Sequence, residues 1–330
     1  MSETDDTTAS DASDAKAPCA VSILIVGYNS TGFIKRCIAS IGPAISAENY
    51  QILLVDNGDG STEALVKATF PEVQIIGSRG NIGFAGGNNL LATHAKAPFL
   101  LLLNPDMTLE PGSLDALLKG AQQHRDAAAW GGVTVDANGQ PDSGNAIAMP
   151  SMLEFASVAL GHSLVGSRPI EGVREDCLTD VLVGGFVMFD RAAWEEVGGL
   201  DERFFLYCEE VDLFYRLAAK DHTFWRIAEA RGHHAVAHGV SFSPTRLMYR
   251  AAGQMEFVRR HWPAPTAFVA FVFMWIGALE RYIAGRILGV FKPRMKNLAD
   301  GYRNVALRPH WWMRGYDPKR GLLTKLKSAG

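Results

Sequence analysis

Apolar residues along this 330-residue chain follow two periods, and the switch between them marks out its elements. The runs VSILIVGY (21–28), QILLVDNG (51–58), VQIIGS (73–78) and PFLLLLN (98–104) are continuous and rich in β-formers, the pattern of strands buried on both faces. Between them Phe33, Ile34, Cys37, Ile38 and Ile41 recur at helical spacing. Leu65 and Val66 mark the inner side of a second helix, with Ser61 or Thr62 as its N-cap, and a third helix covers 86–94. Such alternation predicts a mostly parallel α/β sheet flanked by helices. The fourth run stops at Asn104-Pro105-Asp106, because proline has no amide hydrogen and disfavours helix in the residue before it. Asp106 is therefore expected just beyond a strand end, where ligands of open α/β sheets bind.

The second half is less regular. Residues 181–205 read as a strand with a Gly184-Gly185 pair, a short helix at 191–197 and a Gly-Gly turn. In EEVDLFYRLAAK (209–220), Val211, Leu213, Leu217 and Ala218 fall at helical intervals, so an acidic cluster opens a helix, where its charge is favourable. Phe204, Phe205 and Tyr207 precede it as packing residues, with Tyr207 able to face a substrate. Residues 264–279 are almost purely apolar and precede a basic segment; sixteen residues fall short of the ~20 that cross a hydrocarbon core. The expected element is an interfacial helix anchored by Trp262 and Trp275, with a buried helix as the alternative. Trp311 and Trp312 fit either anchoring or packing.

Composition refines this picture. With 48% hydrophobic and 20% charged residues the chain can bury a large core, and its net charge of −3 conceals an asymmetry. Residues 1–18 carry five acids against Lys16 and read as a disordered leader, whereas from Arg281 onward twelve cations face Asp300 and Asp317, a net +10. The basic end calls for an anionic partner, and its apolar neighbour favours a membrane surface over nucleic acid. Cys19, Cys37, Cys177 and Cys208 lack metal-type spacing and are expected to be reduced thiols in the cytoplasm. The expected organisation is the leader (1–18), a catalytic domain (19–262, its nucleotide half ending near 135) and a helical extension (263–330).

Strand-end acids at 56 and 106, with the glycine-rich RGNIGFAGGNNL between them, suit a nucleotide and a cation. No Walker lysine motif occurs, and the glycines do not follow the first strand as a dinucleotide fingerprint requires. The ordered set VSILIVGYNS, LLVDNGDGS, GNIGFAGGNN, LLLNPDM, VGGFVMFDRAAWEEVGGLDERFFLYCEEVDLFYRL and VAHGVSFS, over 21–260, resembles the family 2 glycosyltransferases of GT-A fold, in their rhamnosyltransferase-like branch.

That resemblance implies a metal-dependent, inverting hexosyltransferase using Mg²⁺ or Mn²⁺. It places Gly27, Tyr28, Asn29, Asp56, Arg79, Asn81, Gly86, Gly87, Asn88, Asn104 and Asp106 at the donor. Asp106 and His238 would hold the metal; Gly184, Gly185, Asp201, Tyr207 and Glu209 would border the acceptor. Glu210 is the first candidate for the base and Asp212 the second. Two departures stand out: Asn104 replaces an acid frequent in the metal motif, and Glu210 stands where an aspartate is usual. His222 and His261 are read as structural. The implied donor is dTDP-rhamnose, with a UDP-sugar as the other option, and the implied acceptor a glycan or lipid-linked glycan. The enzyme would lie on the inner face of the cell membrane, and its apolar helix could also support a homo-oligomer. The competing readings are a sugar nucleotidyltransferase, whose early basic phosphate loop is missing from VGYNSTGF, and a non-catalytic membrane-surface protein, which leaves the acids without a shared purpose.

Overall fold

Alternation along the apolar runs explains the two-sided core. Ile23 and Ile25 point into one hydrophobic cluster and Leu24 into the other; Leu101 and Leu103 likewise oppose Leu100 and Leu102. The computed structural model describes residues 19–47, 49–77, 80–135, 146–161, 175–235 and 243–316. The leader, Arg79 and His238 lie outside them.

The first half builds β1 (Val21–Gly27), α1 (Ile34–Ala44), β2 (Gln51–Asp56), α2 (Ser61–Thr69), β3 (Gln74–Ile75), α3 (Gly83–Ala92) and β4 (Phe99–Leu103). β1 lies in parallel between β2 and β4, and β3 extends the sheet beyond β2. Chain progression thus reverses around β1, and the crevice at the carboxyl ends of β1 and β4 is the topological switch point. Gly27 pairs with Asp56 at that end. α2 begins at Ser61, one residue earlier than a Ser61 cap implies and two earlier than a Thr62 cap. Gly60, at φ 87°, takes the N-cap position, and the Thr62 hydroxyl instead accepts the Ser30 amide at 3.1 Å.

Beyond β4 come β5 (Met107–Leu109), α4 (Ser113–Gln123), β6 (Ala127–Val135), β7 (Ala146–Ile147), α5 (Met152–Ala159), β8 (Cys177–Leu178), β9 (Val181–Leu182), β10 (Phe186–Asp190), α6 (Arg191–Glu196), α7 (Glu209–Ala218) and β11 (Thr223–His234). β10 inserts antiparallel between β4 and β6, giving the main-sheet order β3-β2-β1-β4-β10-β6-β11-β5. The sheet is therefore mixed: parallel from β3 to β4 and turned by β10 where the second half joins.

The chain ends in α8 (Pro244–His261), α9 (Ala264–Leu288) and α10 (Pro293–Leu307). α9 runs 25 residues, beyond the sixteen-residue apolar run, because Glu280 and Arg281 do not interrupt it. The Arg281 guanidinium turns back to the carbonyls of Val158 and Gly277 at 3.0 and 2.8 Å. Among the described residues α9 is one helix long and apolar enough to cross a membrane, by length and composition. Its inner side, Ala267, Ala270, Met274 and Ala278, joins the same core cluster as Leu24. The two expected tryptophan anchors face inward. Trp275 donates to the Ala306 carbonyl at 2.9 Å, and Trp262 meets Phe155 edge-on at 5.4 Å. Trp312 is buried and Trp311 lies under Arg308. The apolar groups left outside are instead Phe268, Ile283 and Ile287 on α9, with Val290 and Phe291 just after it.

Candidate active site

Two loops form the nucleotide side of the crevice. After β1, Tyr28 is 58% exposed and Asn29 adopts φ 50°. After β2, Asp56 is fully buried; one carboxylate oxygen accepts the Gly58 amide at 2.7 Å and the other the Glu63 amide at 3.1 Å. Asp56 therefore shapes the loop and caps α2, and it offers no exposed carboxylate to a base edge. The Asn57 amide bonds the Gly27 carbonyl at 2.7 Å, and its side chain reaches the Gly83 carbonyl at 2.8 Å, locking both loops to the start of α3.

The glycine-rich segment is largely a packing device. Gly83, at φ 80°, closes an Asn81 turn by donating to Asn81 Oδ1 at 3.1 Å. Gly86, Gly87 and Asn88 are buried; a Cβ at Gly87 would sit 2.8 Å from Val26, so glycine lets α3 lie close on β1. The side chain of Asn88 turns into its own helix and bonds the Phe84 carbonyl, and Gly86 and Gly87 offer only backbone on this side of α3.

At the end of β4 the Asn104 amide donates to the Gly185 carbonyl at 3.0 Å, and the Met107 amide returns to the Asn104 carbonyl at 3.1 Å. This turn presents the half-buried Asp106. β5 then pairs antiparallel with the end of β11, with His234 opposite Met107, and the Ala235 amide bonds the Asp106 carbonyl at 3.0 Å. His234 Nε2 comes to lie 3.3 Å from Asp106 Oδ2. Among the described residues His234 is thus a partner of Asp106; His238, the histidine read from the sequence, lies outside them. A carboxylate oxygen and an imidazole nitrogen facing each other are suitable ligands for a divalent cation such as Mn²⁺. Among the described residues no third His, Cys, Asp or Glu joins them.

The acidic helix faces this turn. Tyr207 and Cys208, at φ 73° and 70°, lie in the left-handed region before α7, a costly conformation for side-chain-bearing residues. Their surroundings hold it. The Phe84 amide bonds the Phe205 carbonyl at 3.1 Å, and Gly253 on α8 leaves room for the Tyr207 carbonyl. The Tyr316 hydroxyl sits between the carbonyls of Leu206 and Tyr249.

The three acids that follow have distinct environments. Glu209 is 2% exposed and, among the described residues, its Oε2 has no hydrogen-bond partner; burial, then the neighbouring Glu210 charge, pushes its carboxyl well up. Such a group lines no open acceptor surface. Glu210 is partly exposed; it accepts the Gly184 amide at 3.0 Å, and burial raises its carboxyl as well. Asp212 is fully buried: Arg216 Nε lies 2.7 Å from Oδ2 and His261 Nε2 2.8 Å from Oδ1. Burial works against its charge, but the His261 hydrogen bond and the Arg216 charge outweigh it and hold the carboxyl below the usual range. Asp201 belongs to the same network through Arg260, at 2.5 Å from its Oδ2. Asp212 therefore ties α7 to α8, Asp201 joins the same helix through Arg260, and of the three acids that open α7 Glu210 is the one not fully buried. His261 is structural, as expected; His222 pairs with Glu196 at 2.9 Å.

Two hydrogen bonds join the poles of the site: Asn104 to Gly185 on one side of the glycine pair, and Gly184 to Glu210 on the other. The residue that sequence reading missed is His234, whose only signal is the register of β11 against β5.

The mixed, mostly parallel sheet with a switch point beside β1 is a GT-A fold, shared with the solved structures named below. The chain belongs to glycosyl transferase family 2, whose model matches residues 22–198. It is 29% identical over 242 residues to the N-acetylglucosaminyl-diphospho-decaprenol L-rhamnosyltransferase of Mycobacterium tuberculosis, covering 67% of this chain and 78% of that protein. It is 25% identical to the rhamnosyltransferase WbbL of Escherichia coli, over 60% of this chain and 76% of WbbL. Similar solved structures include GalNAc-T7 with UDP, GalNAc and Mn²⁺ (TM-score 0.58, 14% identity), covering 87% of this chain but 55% of that one. The mannosyltransferase PcManGT of Pyrobaculum calidifontis with GDP-Man and Mn²⁺ (TM-score 0.54, 13% identity) is covered over 90% of its length, and 89% of this chain.

Proposed function

We propose that this enzyme moves rhamnose from dTDP-rhamnose, with a UDP-sugar as second choice, onto a lipid-linked glycan at the inner face of the cell membrane, inverting the anomeric centre. The observation that carries the reading is the Gly184-Gly185 connection, which bonds Glu210 on one side and Asn104, two residues before the His234-paired Asp106, on the other. The rhamnosyltransferase relatives support the sugar, and the relative that acts on a decaprenol-linked glycan supports the acceptor.

The Tyr28–Asn29 and Gly58–Gly60 loops take the nucleoside, with Asp56 holding them in shape. Asp106 and His234 would hold a divalent cation, which would supply positive charge to offset that growing on the departing diphosphate. Glu210 accepts the proton of the acceptor hydroxyl as that oxygen bonds to the anomeric carbon and the bond to the diphosphate breaks. Gly184 does two things for this base. Its amide orients Glu210 Oε1, and its missing side chain leaves room for the longer acid, since a Cβ there would stand 2.5 Å from that oxygen.

The outer face of α9 and the segment after it supply the membrane contact. Ile287, Val290 and Phe291 are 63%, 79% and 82% exposed, and Arg286, Lys292, Arg294 and Lys296 surround them. Ile287→Glu with Phe291→Glu should release the protein from phosphatidylglycerol vesicles in co-sedimentation; unchanged sedimentation would remove the membrane contact from this face.

The reaction is tested with a donor panel of dTDP-rhamnose and UDP- and GDP-sugars, each with and without Mg²⁺ or Mn²⁺, and a prenyl-diphosphate-linked N-acetylglucosamine acceptor. The expected result is metal-dependent transfer, fastest from dTDP-rhamnose. Failure of every donor to bind or react would refute the reading.

A further inference from the structure

Two cations near the acidic helix have no assigned work. Arg246 and Arg250 lie one turn apart on α8, and among the described residues neither has an ion-pair or hydrogen-bond partner. Arg246 is in the first turn of that helix, its positive end, where a cation is unfavourable and where the turn itself holds no acid. The adjoining stripe of α8 is the surface that holds the strained turn before Glu210. Tyr249 stacks on Phe205 at 5.7 Å, and Gly253 packs on the Tyr207 carbonyl. Arg250 acts electrostatically on both Tyr207 and Cys208. On its other side Arg250 borders an apolar cleft between α8, α9 and α10, lined by Leu247, Met274, Ala278 and Val305. Uncompensated cations between a catalytic carboxylate and an apolar cleft suit an amphiphile with an anionic linkage between its reacting sugar and its lipid.

We infer that this stripe and cleft form the carrier subsite of the acceptor: Arg246 and Arg250 take a diphosphate, and the cleft takes the first isoprenoid units attached to it. The inference rests on the lipid-linked acceptor proposed above. It explains why α8 meets both the base-bearing turn and the terminal helices: the helix sets the distance from the Glu210 carboxylate to the membrane-facing end of the acceptor. Guanidinium groups suit the task because their planar donors grip phosphate oxygens in pairs.

The test titrates farnesyl diphosphate, inorganic diphosphate and farnesol into the full chain, with saturating dTDP and Mg²⁺ to fill the donor pocket. Farnesyl diphosphate should bind at least about ten-fold more tightly than inorganic diphosphate, because only it also fills the cleft. The double variant Arg246→Gln/Arg250→Gln should weaken it by about 10- to 100-fold while leaving dTDP binding unchanged. Leu247→Asp, checked for folding by circular dichroism, should erase the advantage over inorganic diphosphate. Equal farnesyl diphosphate affinity in wild type and the arginine variant would overturn the inference, as would displacement of the probe by phosphatidylglycerol vesicles, which would assign the arginines to lipid headgroups. Arginine-dependent binding in a protein that transfers no sugar to a prenyl-linked acceptor would uphold the subsite and refute the proposed reaction.

Discussion

The nucleotide side and the acceptor side of the crevice fix their acids by different physical means. Asp56 is held by amides of its own loop and the next helix, all within seven residues. Asp212 is held by Arg216 from its own helix and by His261, 49 residues away, and the turn before Glu210 leans on Tyr316 at the end of the described chain. Local backbone bonds make the first side nearly self-sufficient. The second side depends on α8 and the terminal segment, so its geometry is coupled to everything the C-terminal helices touch.

The largest expected effect concerns that dependence. Asp212→Ala leaves Arg216, His261 and Arg260 without their common acid and should cost about 3–5 kcal/mol in urea unfolding, the usual penalty for breaking a buried pair. The sign with pH follows from the depressed carboxyl. Its contribution is full above the unfolded pKa and disappears as pH falls through the folded value, so the Asp212→Ala deficit should shrink in acid. Glu209 runs the opposite way: its raised carboxyl costs stability as pH climbs from the unfolded pKa through the folded one. Glu209→Gln should therefore raise Tm at pH 8 and leave it unchanged at pH 4; a parallel fall in Tm at both would break the assignment.

Next in size, Asp106→Asn should lower kcat/KM by about 100- to 1000-fold and raise the metal concentration needed for half-maximal rate, as expected when charge stabilisation of a leaving group is lost. Normal metal-dependent turnover would return the Asn-Pro-Asp stretch to being a turn. Smaller still, Gly184→Ala crowds Glu210 and should lower kcat about ten-fold; adding Glu210→Asp, one methylene shorter, should recover part of that loss. Failure of the shorter acid to rescue would show that Gly184 does not set the base. The smallest effect is expected for Tyr316→Phe, about 1 kcal/mol of stability from one lost hydrogen bond, with kcat falling more than donor KM.

The same contrast explains what could be read from the chain. β1, β2 and β4 were legible because their apolar runs are continuous, and Asn104-Pro105-Asp106 because proline ends a strand wherever it falls. The antiparallel entry of β10 was not, since FVMFD looks alike in either direction. That His234 meets Asp106 follows from the pairing of β11 with β5, a register that alternation in GHHAVAH does not specify. The glycine-rich context of Gly87 suggested phosphate, and the approach of α3 to Val26, which also requires a glycine there, was not legible in it. The roles of Glu209, Glu210 and Asp212 look interchangeable in EEVD. They separate only once partners distant in sequence, Gly184, His261 and Arg260, are in place.

Glu210 as the base is the central claim, and rapid-quench single turnover of Glu210→Gln with saturating donor, metal and prenyl-linked acceptor tests it most directly. The account predicts donor affinity within two-fold of wild type by titration, about a 100-fold or greater loss in the rate of transfer, and loss of the acid limb of the pH–rate profile that the raised Glu210 carboxyl produces. Transfer at the wild-type rate with an unaltered pH profile would contradict it.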